Sequence, residues 1–192
     1  MAGSSRAAFQ PDEVLEIVRV FDAPRELVFK LWLDPAHVVR WYGPEGYFLS
    51  HCTLDARVGG SYRYCMSRPD GYQHWIGGTY REIVPPERLS FTYVNDYDGH
   101  EMLVELNFRD IGGRTEMHFV QAPFSSVAER DGHGIGWNST LDLFAAYVGR
   151  ADVAGGGPAG APRGPTTADV VARSKMEREK LDADNAENRR EV

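Results

Sequence analysis

Residues 134–148 read Gly-Ile-Gly-Trp-Asn-Ser-Thr-Leu-Asp-Leu-Phe-Ala-Ala-Tyr-Val, with Trp137, Leu141, Phe144, Ala145 and Val148 at steps of three and four. That spacing lays the apolar side chains along one stripe of an amphipathic helix. Upstream the chain alternates in short strand-like runs, and downstream it collapses into Gly and Pro. A lone long helix behind a run of strands can bury its stripe only against a sheet. The expectation is an α+β fold in which a curved antiparallel sheet closes over this helix.

The remaining elements follow from local pattern. Residues 13–21 are rich in β-branched side chains and predict a first strand. Pro24 and Glu26 suit the first turn of a short helix carrying Leu27, Val28, Leu31 and Trp32. Asp34-Pro35 ends it and starts a second, with Val38, Val39, Trp41 and Tyr42, before Gly43-Pro44 stops the pattern. From Tyr47 the period becomes two, and strands are predicted at 47–57, 61–67, 72–84, 88–95, 101–110 and 114–122. Gly59-Gly60, Pro69-Asp70-Gly71, Pro85-Pro86, Asp98-Gly99 and Gly112-Gly113 supply the turns. With the first strand, this makes about seven. Ser126 and Glu129 match a capping box for the long helix, and Gly132, Gly134 and Gly136 predict that its first turns are loose. Gly132 and Gly136 either admit a close neighbour or mark a loop.

Opposed residues of an antiparallel pair point to the same side, so the turns also predict faces. Closure at Asp98-Gly99 opposes Tyr93 to Val104, Phe91 to Leu106 and Leu89 to Phe108. Closure at Gly112-Gly113 opposes Phe108 to Met117 and Leu106 to Phe119. A four-residue loop at 85–88 opposes Tyr80 to Tyr93 and Glu82 to Phe91. Closure at 68–71 opposes Tyr64 to Trp75 and Met66 to Gln73, which forces strand 72–84 to change phase before Tyr80. Gly77-Gly78 is the predicted bulge.

Net charge is −7, which argues against a non-specific nucleic-acid binder. No apolar run of membrane-spanning length and no signal-peptide core are present, so a cytoplasmic protein is expected. Cys52 and Cys65 read as free thiols, and neither Cys-x-x-Cys nor His-x-x-x-His spacing supports a metal site or a cofactor. We expect an extension over 1–12, one domain over 13–150 and a Gly/Pro-rich linker over 151–165. The tail 166–192 holds 13 charged residues and reads as disordered or marginally helical.

The order strand, two helices, six strands, long helix is the helix-grip arrangement. Phe-Asp-Ala-Pro-Arg-Glu-Leu-Val-Phe (21–29), Trp-Leu-Asp-Pro (32–35), Trp-Tyr-Gly-Pro-Glu-Gly (41–46) and Leu-Asp-Ala-Arg-Val-Gly-Gly (54–60) carry a resemblance to a known family. So do Pro-Asp-Gly (69–71), Gly-Thr-Tyr-Arg-Glu-Ile-Val-Pro-Pro-Glu-Arg-Leu (78–89) and Gly-Trp-Asn-Ser-Thr-Leu (136–141). The chain resembles homologues of the activator of heat-shock-protein ATPase, within the START-like (SRPBCC) superfamily, over residues 13–150. The resemblance implies a cavity between sheet and long helix that takes apolar molecules; some superfamily members are polyketide cyclases or aromatases. Nothing here resembles the second domain through which the name-giving activators touch their chaperone.

The predicted inner face comprises Tyr62, Tyr64 and Met66, then Trp75, Tyr80 and Glu82, then Leu89, Phe91 and Tyr93. Met102, Val104, Leu106, Phe108, Met117 and Phe119 complete the sheet side, and Trp137, Leu141 and Phe144 form the helix side. Aromatics and Met either line an adaptable small-molecule site or fill the interior. Glu82 is the one acid on that face, a candidate proton donor or acceptor with Tyr80 and Tyr93 beside it, or else a strand-end carboxylate paired with an arginine. His74 and His118 alternate outward, whereas His133 is within reach of a cavity mouth. No nucleophile with an adjacent base is readable. Binding of a small hydrophobic or aromatic molecule is the leading expectation. A cyclase or aromatase using the same cavity, or a chaperone co-regulator with the tail 166–192 as a protein contact, are the alternatives.

Overall fold

The computed structural model describes residues 9–150. The linker 151–165 and the tail 166–192 expected from the sequence lie outside the described residues. The elements run β1 (Leu15–Phe21), α1 (Arg25–Leu31), α2 (Pro35–Trp41), β2 (Phe48–Leu54), β3 (Ser61–Ser67), β4 (Gln73–Val84), β5 (Arg88–Asn95), β6 (Glu101–Asp110), β7 (Thr115–Ala122) and α3 (Val127–Val148). The seven strands form one curved antiparallel sheet in the order β1-β7-β6-β5-β4-β3-β2. The order is sequential from β2 to β7, as short turns require, and β1 adds at the far edge against β7. α1 and α2 carry the chain from one edge strand to the other.

Local chemistry explains the ends of the elements. The Asp34 side chain accepts from the Ala36 amide at 3.0 Å, with Pro35 at the first helical position of α2. Ser126 accepts from the Glu129 amide at 3.2 Å, and the Glu129 carboxylate reaches back to the Ser125 amide at 2.8 Å. Between β6 and β7 the Asp110 carboxylate accepts from the Gly112 amide at 2.8 Å, and Gly112 and Gly113 take φ of +78° and +83°. α3 is continuous from Val127, so the expected loosening at its glycines does not occur. The cap starts it, and packing holds it: a Cβ on Gly134 would stand 3.3 Å from Leu15 Cδ1.

α3 lies across the concave face and buries Gly134, Trp137, Thr140, Leu141, Phe144 and Val148. Phe144 packs at 5.0 Å from Phe21, 5.8 Å from Trp32 and 4.3 Å from Trp41, measured between ring centres. Trp137 stacks obliquely on Phe119 at 4.7 Å. Truncating a ring with this many partners costs about 3–5 kcal/mol.

The registers refine the expected faces. Phe108 opposes Met117 and Leu106 opposes Phe119, as the Gly112-Gly113 turn predicts. Between β5 and β6 the pairing is two residues away from expectation, with Tyr93 against Met102 and Phe91 against Val104. The connection spans 96–100 instead of two residues, and a two-residue slip leaves every side chain on its own face. Between β3 and β4 the difference is one residue: Tyr64 opposes Ile76, Cys65 opposes Trp75 and Met66 opposes His74. One residue reverses the face. Trp75 therefore stands on the convex side, beneath the Arg63 guanidinium at 4.9 Å, and the fully buried Ile76 takes its expected place.

The bulge in β4 falls at Arg81, between the Tyr80–Phe91 and Glu82–Ser90 pairs, and not at Gly77-Gly78. It turns Ile83 inward and Glu82 outward. Gly78 has a different purpose: a Cβ there would lie 1.8 Å from the Thr92 carbonyl oxygen and 2.8 Å from Tyr62 Cε1. The sheet can bend inward here only if position 78 has no side chain. Replacing Gly78 with Ala should lower the unfolding free energy by about 3 kcal/mol, measured by urea denaturation. A loss under about 1 kcal/mol would mean that the β4–β5 approach is not as tight as this.

Candidate functional site

Four segments meet at one end of the grip: the α2–β2 connection, the β3–β4 hairpin, the end of β5 and the first half of α3. Between them lies an open pocket of about 200 Å³. Tyr42, Pro44 and Tyr47 form one side, Met66, Tyr72 and His74 another, and Tyr93 the floor, while Gly132, His133, Gly136, Trp137 and Thr140 of α3 close it. The α2–β2 connection is tied to the helix by a hydrogen bond from the Glu45 amide to Ser139 Oγ at 2.9 Å. A Cβ on Gly132 or Gly136 would meet nothing within 4 Å, so these two glycines leave room instead of accommodating a packed neighbour.

Deeper in, the space is occupied by protein. Trp32, Val38, Tyr42, Tyr62, Tyr64, Tyr80 and Phe91 surround a void of about 10 Å³, near the room one water needs. Their rings interlock: Tyr62–Tyr64 at 4.9 Å, Tyr42–Tyr64 at 5.0 Å and Tyr62–Phe91 at 5.5 Å. The Tyr62 hydroxyl donates to the Thr92 carbonyl at 2.8 Å. Tyr42 borders both spaces and separates them.

Of the side chains expected at the site, Met66, Tyr93 and Trp137 border the open pocket, and Tyr62, Tyr64, Tyr80 and Phe91 border the inner void. Met102, Val104, Met117, Leu141 and Phe144 are buried in the core, on the expected face but away from the open pocket. Trp75 and Glu82 are not brought to it. Glu82 lies on the convex side with about 43% of its side chain exposed, and its carboxylate accepts from Arg88 at 2.9 and 3.3 Å. It is the strand-end carboxylate paired with an arginine, held outward by the Arg81 bulge. His74, expected at the surface, is half-buried in the pocket wall because the β3–β4 register differs by one. Tyr42, Pro44, Tyr47, Tyr72 and Thr140 join from loops and a helix flank that strand periodicity does not describe.

The polar groups at the pocket are held by two fully buried amides. Gln121 Oε1 accepts from Trp137 Nε1 at 2.8 Å and lies 3.3 Å from His133 Nδ1, and Gln121 Nε2 donates to the Met102 sulfur at 3.4 Å. Asn95 Oδ1 is 3.1 Å from His74 Nε2. Burial lowers the pKa of both imidazoles below the ordinary histidine value, and for His133 the nearby His74 and His100 add to this against the opposing pull of Glu129 and Asp98. Both rings are therefore neutral at pH 7. Burial pushes the Tyr80 hydroxyl up to about 12 and raises Tyr42, Tyr62, Tyr64 and Tyr93 further. The thiols of Cys52 and Cys65 are free, and burial pushes that of Cys52 up to about 11. Among the described residues no cluster of three or more metal-ligating side chains occurs, and no helix is long and apolar enough to cross a membrane.

A curved seven-stranded sheet closed over a long C-terminal helix, with a pocket at the helix's glycine-bearing half, defines a START-like helix-grip protein. The model of the family described as Activator of Hsp90 ATPase homolog 1-like protein matches residues 22–149, and the chain belongs to that family. A solved protein from Chromobacterium violaceum is 30% identical, with a TM-score of 0.66 over 72% of this chain and 98% of its own. The AHSA1 protein from Silicibacter pomeroyi is 26% identical, with a TM-score of 0.64 over 69% of this chain and 95% of its own. A protein from Nitrosomonas europaea at 21% identity shares the fold, with a TM-score of 0.64 over 73% of this chain and 96% of its own. No curated protein matches the chain.

The tyrosine cluster makes stability depend on alkali. Each folded-state pKa is raised, so the stabilisation is complete below the unfolded value of about 10 and is lost as pH climbs through the raised values. Of the nine tyrosines, the five at 42, 62, 64, 80 and 93 should remain un-ionised to about pH 11 in an absorbance titration of the native protein. More than four tyrosinates below that pH, without unfolding, would contradict the buried cluster.

Proposed function

We propose that this protein is a cytoplasmic binder of a small hydrophobic, aromatic molecule, held at the mouth of the grip between α3 and the β3–β4 hairpin. The observation that carries this is the open pocket of about 200 Å³ walled by Tyr42, Tyr47, Tyr72, Tyr93 and Trp137. An apolar cavity of about 150 Å³ accepts benzene, so a molecule of one or two rings is the right size. Aromatic walls hold such a molecule by edge-to-face and offset stacking, and the two neutral imidazoles supply the few polar contacts that orient it. The two free thiols fit a reducing compartment.

The same size argues against the cyclase and aromatase alternative, because a folded polyketide chain needs the deeper space that the tyrosines fill. Membership of the family makes chaperone regulation a second candidate.

1-Naphthol, followed by quenching of tryptophan fluorescence, is a suitable probe. Gly136→Leu puts a branched side chain into the pocket from a position with open space around it, and Leu also has the better helix propensity by roughly 1 kcal/mol. The variant should be at least as stable as the parent and should lose about tenfold or more in affinity. Unchanged affinity in a folded Gly136→Leu protein would place binding elsewhere.

A further inference from the structure

The Gln121–Trp137–His133 arrangement has a consequence for what the pocket selects. An indole nitrogen only donates, so the Gln121 atom that receives Trp137 Nε1–H at 2.8 Å is the carbonyl oxygen. His133 Nδ1 faces that same oxygen at 3.3 Å, and an oxygen offers it only lone pairs. Nδ1 must therefore carry the proton. In a neutral imidazole the other nitrogen, Nε2, then has the lone pair. His133 is one wall of the open pocket, and Nε2 has no hydrogen-bond partner among the described residues. Gln121 cannot relax from this role: it is fully buried, and its Nε2 is spent on the Met102 sulfur at 3.4 Å. The ring itself is clamped edge-on between Tyr93 at 5.5 Å and Phe124 at 5.1 Å.

We propose that His133 Nε2 is a preset hydrogen-bond acceptor, and that the pocket selects aromatic molecules carrying a hydroxyl or N–H donor, with Gln121 as the residue that positions the imidazole. This deepens the binding reading given above and rests on it. A phenol satisfies both halves of the site: its ring meets the aromatic walls, and its O–H meets Nε2. The corresponding ether keeps the ring but covers Nε2 without donating to it, and an acceptor covered and left unpaired costs affinity. Gln121 holds the Trp137 indole as well as the imidazole, and its effect through His133 is on tautomer and selectivity.

The preference also has a defined response to acid. The charged and titratable groups around His133 are Glu129 on its own helix, Asp98 and His100 in the β5–β6 connection, and His74 on β4. Asp96, nearer His74, is engaged by Arg63. Because burial lowers the His133 pKa, the acceptor is present at pH 7 and disappears only as pH falls below the ordinary value of about 6.5. Once protonated, the ring donates from both nitrogens and no longer distinguishes phenol from ether.

The test compares 1-naphthol with 1-methoxynaphthalene on the full chain, together with nitrogen-15 chemical shifts of the His133 imidazole. At pH 7.5, 1-naphthol should bind about fivefold to tenfold more tightly, and the shifts should show a protonated Nδ1 with a pyridine-like Nε2. The preference should vanish in His133→Phe, which keeps the ring between Tyr93 and Phe124, and should shrink as pH is taken below about 6.5. In Gln121→Met the shifts should report mixed tautomers, and the ratio of 1-naphthol to 1-methoxynaphthalene affinity should fall toward one. Equal binding of the two probes by the parent protein, or an Nε2-protonated ring, overturns this inference and leaves the pocket reading standing. Binding of neither probe overturns both.

Discussion

The concave face of the sheet has an unusual filling, and the rest of the molecule depends on it. Phe144 sits among Phe21, Trp32 and Trp41, so one helical side chain joins α3 to β1, α1 and α2 at once. Trp137 does the same one layer along, against Phe119, Tyr93 and Tyr42. Each such ring pair adds about 0.5–1.5 kcal/mol beyond the area it buries. Without that seam the inner face keeps only the packing of α1 and α2, such as Phe29 on Phe108, and the connection carrying Tyr42 and Pro44 loses its support on α3. The pocket is what remains where the seam stops. On the C-terminal side of Trp137 the helix offers Leu141, Phe144 and Val148 and the interior is full; on the N-terminal side it offers Gly132 and Gly136, and space opens.

The site is consequently at the rim of the grip and not in its centre. Four tyrosines, at 42, 62, 64 and 80, occupy the centre, all kept protonated by burial, and Tyr62 donates its hydroxyl to the Thr92 carbonyl of β5, two strands away. A core of this kind combines large apolar rings with polar ends that must be accommodated. At the rim the polar atoms are ordered differently. Buried amides on β5 and β7 each hold a histidine by one nitrogen, which turns a flexible ring into a fixed one facing the pocket. The division between a packed aromatic centre and an amide-oriented rim is the chemical character of this member of the Activator of Hsp90 ATPase homolog 1-like family.

Part of the candidate pocket's lining is legible in the chain. His133 at the helix start pointed to a cavity mouth, and Tyr93, Met66 and Trp137 were on the predicted inner face. Gln121 carries a signal that strand alternation alone does not interpret: Met117, Phe119 and Gln121 share one phase of β7, so a polar residue stands in line with the core. Trp75, His74 and Glu82 lie on the opposite face from the one strand alternation predicts, for a single reason. Side chains in a strand alternate with period two, so one residue of loop length at 68–72, or one bulge residue at Arg81, reverses everything beyond it. The two-residue slip between β5 and β6 did no such damage.

What the sequence by itself determined is the class of fold, the order of its elements and the aromatic character of the inner face. Those depend on hydrophobic period, caps and turn residues, all of them local in the chain. Tertiary structure alone decided the registers, the location of the bulge and the balance between filled and open space. These depend on how far apart two surfaces settle once Gly78 lets the Thr92 carbonyl approach and Gly134 lets α3 sit on Leu15. A distance between elements is a sum over many packed side chains, and no local pattern contains it. The acceptor nitrogen of His133 is decided the same way, by an indole proton from α3 meeting an amide oxygen from β7.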